Sequence, residues 1–323
     1  MDSKEFAPLD QRDLEQVQRF NRKLKWLPRF RIRNRLTPRL IQGLLRVAQI
    51  SGAGTLRGVV AETKVITVEG VPVPLRIIRP KGQAKGVVLD YHGGGWVIGN
   101  AQMDDAFNVA MVNACEVVTV SVDYRLAVST PIEGLLSDCL GAARWLLGDC
   151  EEFKDLPVIV VGESAGAHLA AATLLSLKAS PDLLKRVRGT VLYYGVYDLT
   201  GTPSVRAAGP DTLLLDGPGM VEALRMLTPD RSDEQRRQPQ LSPLYGDFNG
   251  LPPALLFAGE LDPLRDDTLL IARQWMKAAE VDLHLLPACP HGFIHFPTTV
   301  AARVLSHSRQ WINTQINQAA CRQ

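Results

Sequence analysis

The string Gly162-Glu163-Ser164-Ala165-Gly166 joins two stretches of different character. Before it, Val158 to Val161 is a short β-branched run that reads as a buried strand. After it, Ala165 to Leu177 is dominated by alanine and leucine and reads as a helix. Small residues two places either side of the serine let the backbone turn sharply from one into the other. A chain with this unit carries a serine at the tip of a strand-to-helix elbow.

The same alternation recurs along most of the chain. Strand-like runs occupy Val65 to Val68, Leu75 to Ile78, Val87 to Tyr91, Val117 to Val122, Thr190 to Tyr194, Ala254 to Ala258 and Val281 to Leu286. Between them, Ile132 to Leu147, Thr268 to Ala279 and Ala301 to Ile316 carry apolar residues at helical spacing. Strands alternating with helices predict an α/β class with a mainly parallel central sheet flanked by helices. At 323 residues and 46% hydrophobic content, such a chain buries a large core without disulfides or metals.

Two regions fall outside this pattern. From Arg19 through Arg57 cations recur, with no acidic residue between Glu15 and Glu62. There Phe20, Leu24, Trp26 and Leu27 predict one face of a helix, and Leu40, Ile41, Leu44, Leu45 and Val47 part of another, separated at Pro38. From Gly201 to Gly250 prolines and glycines break up the pattern over a length too great for a simple connection. Both regions are read as a helical cap. The division is 1–55, N-terminal part of the cap; 56–200, core; 201–245, inserted cap segment; and 246–323, core continued. The N-terminal segment reads first as a lid element with a solvated basic face, and otherwise as a contact for a membrane surface or an anionic substrate.

A serine at an elbow becomes a nucleophile when a base takes its proton and a third group orients that base. Upstream, Tyr91-His92-Gly93-Gly94-Gly95-Trp96 follows an apolar run, and its three glycines can turn backbone N–H groups toward one point, as an oxyanion hole requires. Downstream, Asp262 follows the strand-like Ala254 to Ala258, and His291 follows Val281 to Leu286. Both fall in loops leaving the carboxyl ends of strands, in the order serine, acid, histidine found on an α/β-hydrolase sheet. Asp266 and Asp267 are rivals to Asp262, but they sit where a helix N-terminus is expected and carboxylates are ordinarily favourable. His168 reads as a packed structural histidine and Glu163 as a structural hydrogen-bonding group. His295 stands four residues after His291, a metal-ligand spacing on a helix, but Pro297 and the lack of clustered acids argue against a metal.

Charge and cysteine usage narrow the partners. A net charge of +2 gives no overall signature of nucleic-acid binding. Cys115, Cys139, Cys150, Cys289 and Cys321 are odd in number and lack metal-ligand spacing, which favours a reducing compartment. The first residues lack a signal-peptide pattern, and the most apolar stretch, Val158 to Leu177, is interrupted by Glu163 and His168. The expectation is a cytoplasmic protein with no integral membrane segment.

Around Ser164 and the glycine triplet, the sequence resembles the hormone-sensitive-lipase-like (family IV) carboxylesterases of the α/β-hydrolase superfamily. The resemblance extends through Ser121 to Leu126, Ser242-Pro243-Leu244, Leu251-Pro252-Pro253, Asp262 to Asp266 and His291-Gly292-Phe293, and covers roughly residues 63 to 317. It implies an α/β-hydrolase fold with a helical cap and hydrolysis of short to medium acyl-chain esters through an acyl-enzyme. The matching triad is Ser164, Asp262 and His291, with no cofactor and no metal. It further implies that the N–H groups of Gly94, Gly95 and Ala165 bind the oxyanion, with Gly93 shaping the turn and His92 buttressing the loop. The chain departs from the family pattern at Val128-Ser129, where Pro-Glu is usual, at Ala167, where a second glycine is usual, and at Asp104 and Asp105, where a histidine is common. Amide, lactone or formamide hydrolysis on the same triad, and ligand binding without turnover, are the competing readings. The edge strand at Val281 to Leu286 leaves room for a homodimer.

Overall fold

The computed structural model describes residues 6–31, 38, 41–43 and 56–320. Among the described residues eight strands form one sheet: β1 (Val59–Val68), β2 (Val71–Pro80), β3 (Gly86–Tyr91), β4 (Val117–Val122), β5 (Val158–Glu163), β6 (Val187–Tyr193), β7 (Ala254–Gly259) and β8 (Val281–Leu286), in the order β1-β2-β4-β3-β5-β6-β7-β8. β1 and β2 form an antiparallel hairpin, β2 runs antiparallel to β4, and every pairing from β4 to β8 is parallel. The hairpin strands are longer than the apolar runs predicted. The middle of β1 is Glu62-Thr63-Lys64, polar and exposed, so the strand carries no continuous apolar signal. Glu69 and Gly70, both at positive φ, close the hairpin in a tight two-residue turn.

The helices are α1 (Gln11–Leu24), α2 (Asp105–Cys115), α3 (Ile132–Arg144), α4 (Ala165–Leu177), α5 (Pro181–Leu184), α6 (Pro203–Arg206), α7 (Met220–Leu227), α8 (Asp233–Arg236), α9 (Arg265–Trp275) and α10 (Thr299–Ala320). They cover both faces of the sheet, and strand residues alternate between two cores. Val87, Leu89, Val158, Val160 and Leu256 pack with Leu135, Leu169, Ile271 and Trp275 of α3, α4 and α9. Val88, Ile159, Val161, Leu255 and Phe257 pack with Met111, Val304, Trp311 and Ile312 of α2 and α10. α9 begins a turn before the predicted Thr268, because Asp266 and Asp267 occupy its first turn, where the helix dipole favours acids.

The N-terminal region differs in detail from its reading. α1 starts on a capping box between Asp10 and Asp13 and buries Val17, Asn21 and Leu24 against α10 and the β8 side of the core. It ends at Leu24, so Trp26 and Leu27 are not on its face, and Trp26 is 90% exposed. Of the second predicted helix, Ile41 is described in helical conformation, while Leu40, Leu44, Leu45 and Val47 lie outside the described residues. The inserted region runs through α6, α7 and α8 and buries Leu213, Leu224 and Leu227. A parallel bridge joins it to the N-terminal region: Phe30 N–H donates to Leu214 O at 2.5 Å, and Asp216 N–H donates to Phe30 O at 3.1 Å.

Candidate active site

The turn after β5 is as tight as its small residues suggest. Ser164 takes φ +51° and ψ −118°, a backbone conformation strained for a residue with a side chain. A Cβ on Gly162 would sit 2.6 Å from Gly166 O, and one on Gly166 would sit 1.9 Å from Tyr91 O. A larger residue at Gly162 would open the turn itself, and one at Gly166 would push the elbow off the end of β3.

From that tip, Ser164 Oγ lies 3.0 Å from His291 Nε2, and His291 Nδ1 lies 2.8 Å from Asp262 Oδ2. With Nδ1–H donating to the aspartate, Nε2 is left to accept from the serine hydroxyl. Asp262 is held from its other side, its Oδ1 accepting from Leu264 N–H at 2.8 Å, and its side chain is fully buried. Its rivals are engaged elsewhere. Asp266 accepts from Ser204 N–H at 2.9 Å, and Asp267 accepts from Tyr197 N–H, Asp198 N–H and the Thr202 hydroxyl at 2.5–3.0 Å. These two carboxyls anchor the root of the insertion on α9; burial pushes that of Asp267 up to about 7.

The glycine loop bends back over the elbow. Gly94 has φ +110°, and a Cβ there would lie 2.1 Å from Ile98 O, so the position admits only glycine. Gly94 O accepts from Val97 and Ile98 N–H, whereas the N–H groups of Gly94 and Gly95 have no acceptor among the described residues. The N–H of Ala165 is the first of α4 and has no acceptor within its helix. Gly93, Gly94, Gly95, Ser164 and His291 all line one cavity.

Two buried histidines brace this arrangement. His92 stacks on Tyr124 at 4.1 Å between ring centroids, and its Nδ1 donates to Gly93 O at 2.8 Å. Tyr124 O–H donates to His92 O at 2.7 Å. His168 accepts from Trp96 Nε1–H at Nδ1 (3.2 Å) and donates from Nε2 to Leu241 O (2.8 Å), tying the glycine loop, α4 and the end of the insertion together. Burial pulls both down to about 4, so both are neutral near pH 7. The departures near the glycine loop and at Asp104 and Asp105 have local partners or surroundings. Asp105 forms a paired hydrogen-bonded bridge with Arg76 at 2.8 and 3.1 Å, Asp104 is a buried carboxyl pushed up by desolvation, and Ala127 N–H donates to Trp96 O at 2.8 Å beside Val128-Ser129.

A further set of residues was not assembled by sequence reasoning. Glu163 Oε2 accepts from Tyr194 O–H at 2.7 Å and from His295 Nε2 at 2.6 Å. Burial pushes the Glu163 carboxyl up, but the neighbouring His295 charge and hydrogen bond, with that of Tyr194, outweigh it and hold it below the ordinary glutamate range. Burial draws His295 down, and the charge and hydrogen bond of Glu163 raise it above its ordinary value. Tyr194, at φ +39°, sets its ring edge-on to His291 at 4.8 Å between centroids. His295 lies on a one-turn 3-10 helix, not on an α-helix, and among the described residues no three metal-ligating side chains cluster. A carboxylate beside the nucleophile with no cation near it in sequence was the available signal.

The cavity measures about 700 Å³. Its floor is the set above. Its roof is Phe30 and Arg31 from the N-terminal region with Leu215, Asp216, Pro218, Met220, Leu224 and Met226 from the insertion.

A family model described as alpha/beta hydrolase fold matches residues 88–295. An arylesterase of Saccharolobus solfataricus is 32% identical over 241 residues, 72% of this chain and 77% of its own. Carboxylesterase NlhH of Mycobacterium tuberculosis is 32% identical over 230 residues, covering 67% of this chain and 69% of its own. The crystal structure of esterase LipW from Mycobacterium marinum superposes with a TM-score of 0.82 at 27% identity, covering 94% of this chain and 96% of that one.

Proposed function

We propose, from the premise that this chain belongs to the alpha/beta hydrolase fold family and within it to the hormone-sensitive-lipase-like carboxylesterases, that it hydrolyses esters of short to medium acyl chains with Ser164 as nucleophile. The observation that carries the reading is the unbroken line Ser164–His291–Asp262, at 3.0 and 2.8 Å, opening into an apolar cavity.

Ser164 Oγ attacks the ester carbonyl as its proton passes to His291 Nε2. The carbonyl oxygen, now carrying the negative charge, accepts from the N–H groups of Gly94, Gly95 and Ala165. Asp262 stays ionised and holds the imidazolium through Nδ1–H. Collapse of the tetrahedral species breaks the bond to the alkoxy oxygen, which leaves with the proton from Nε2. Water then attacks the acyl-enzyme, gives its proton to Nε2 and releases the acid, and Ser164 recovers its proton. None of these steps calls on a cofactor. Residues 1–55 and 201–245 act as the cap whose apolar inner wall sets acyl length.

Among the described residues no helix is long and apolar enough to cross a membrane, and Cys115, Cys139, Cys150 and Cys289 are free and buried, in keeping with a cytoplasmic setting. β8 is one of the two edge strands of the sheet, and its outer edge is where a second copy would pair, which sedimentation would detect as a dimer.

The test is hydrolysis of p-nitrophenyl esters from acetate to palmitate by the wild type and Ser164→Ala. Turnover with a maximum at short or medium chains, falling about 10⁴-fold or more in the variant, is the expected result. Equal turnover by a folded Ser164→Ala protein overturns the assignment.

A further inference from the structure

The wall of the cavity beside Ser164 holds a polar device that the hydrolytic cycle does not use. His295 sits at the cavity edge with its side chain 48% exposed, while its partner Glu163 is largely buried, at 13%. Nε2 of His295 is committed to Glu163 at 2.6 Å, and Glu163 is fixed in turn by Tyr194 O–H at 2.7 Å. The imidazole is therefore held at one end only. Nδ1, the other ring nitrogen, has no partner among the described residues.

The surroundings decide what that nitrogen can do. Phe30, Trp96, Ile98, Val196, Leu215 and Met220 make much of the remaining wall and offer the acyl or alkoxy part of a substrate no charged donor, and Glu222, which also lines it, is an acceptor. Arg31, on the roof, pairs through Nε with Asp216 at 3.4 Å, so its charge is offset there. The Glu163–His295 pair as a whole is close to neutral, so it has no net charge with which to attract an anion. When the imidazole is protonated, the form that the adjoining Glu163 carboxylate favours, it presents a single oriented Nδ1–H, whose partner is a neutral acceptor oxygen.

We propose that His295 is a specificity-determining residue, held by Glu163 and Tyr194 so that its Nδ1–H donates to a second acceptor oxygen on the substrate, and that the preferred substrates are esters carrying such a ketone, ether or hydroxyl oxygen within a few atoms of the scissile carbonyl. The inference rests on the esterase reading. Its energetic basis is that a hydrogen bond from a charged donor in a mostly apolar site is stronger than one in water. An all-carbon substrate leaves the donor to compete for water instead.

The experiment uses two matched pairs. In the acyl series, p-nitrophenyl 4-oxopentanoate is compared with p-nitrophenyl pentanoate. In the alcohol series, 2-methoxyethyl butyrate is compared with butyl butyrate. The readout is the ratio of kcat/KM within each pair, wild type against His295→Phe and His295→Gln, so that intrinsic reactivity cancels. In at least one pair the wild-type ratio is expected to exceed that of His295→Phe by about 10- to 100-fold. His295→Gln, which keeps an N–H donor, should restore part of it and serves if the phenylalanine variant does not fold. Ratios that are the same in all three proteins overturn this inference and leave the esterase reading intact. Failure of the wild type to hydrolyse any of the four esters removes both.

Discussion

The floor and the roof of the cavity are built on opposite plans. The floor is polar and tightly specified: Ser164, His291 and Asp262 stand on loops at the ends of β5, β8 and β7, and each has a named partner at 3.0 Å or less. The roof is apolar, made of short helices and coil from 201–245, and is joined to the N-terminal region by the two hydrogen bonds of the Phe30–Leu215 bridge and by the exposed Arg31–Asp216 pair. The difference teaches where sensitivity should lie. Changes in the floor act on the barrier of the reaction, because they alter charge at the reacting atoms. Changes in the roof act on which ester fits.

The sharpest way to break this contrast is to remove charge from the floor without changing shape. Asp262→Asn keeps the volume but no longer fixes Nδ1–H on His291, so turnover should fall about 10⁴-fold while the circular dichroism spectrum stays that of the wild type. A loss below tenfold would mean that Asp266 or Asp267 can take over, against their engagement with Ser204 and Thr202. Next in size is Gly94→Ala. The added methyl meets Ile98 O at a position with φ +110°, which displaces the N–H donors, and kcat should fall on the order of 100- to 1,000-fold.

The contrast also explains what could be read from the sequence. The floor was legible because a backbone turning that sharply tolerates few residue types. Gly162, Gly166 and Gly94 leave no room for a Cβ, and a sharp elbow needs the first two at fixed spacing from Ser164. The parallel strands were legible as well, since β3, β4, β5 and β7 are buried on both faces and read as mostly apolar runs. The roof was recognisable only as a region of broken pattern. α6 and α8 are four residues long, too short for periodicity, and the Phe30–Leu215 bridge joins segments some 185 residues apart. The Glu163–His295 pair escaped for the same reason: the 3-10 turn that carries His295 has no sequence signature, and the two residues lie 132 positions apart.

Moderate effects should come from the braces between the two regions. His168→Leu leaves Trp96 Nε1–H and Leu241 O without their bonds in a buried place, at a cost of about 1–3 kcal/mol. The expected outcome is a thermal midpoint lower by several degrees, measured calorimetrically, with the triad still competent. On the roof itself, Leu215→Ala widens the cavity. The kcat/KM ratio of hexanoate to acetate should shift by about 2- to 10-fold, the scale of one or two methylene contacts. A loss of turnover comparable to that of Asp262→Asn would show that the roof does more than select.

The smallest predicted effect concerns the one place where floor and roof chemistry meet at the cavity wall. His295 is raised above its ordinary value because the charge and hydrogen bond of Glu163 outweigh burial. In Glu163→Gln the charge is removed while the burial remains, so the His295 imidazole resonances should titrate at lower pH than in the wild type. The linkage follows in sign. A histidine whose folded value is raised stabilises the protein at pH below its unfolded value, and that stability is lost as pH rises through the folded value. The thermal midpoint of the wild type should therefore carry a small decline with rising pH above about 6.5 that Glu163→Gln lacks. The decline is small because the side chain is half exposed, and solvent screens such a pair. If His295 titrates identically in both proteins, the carboxylate beside the nucleophile is not its counter-charge, and the cavity wall must be held by Tyr194 alone.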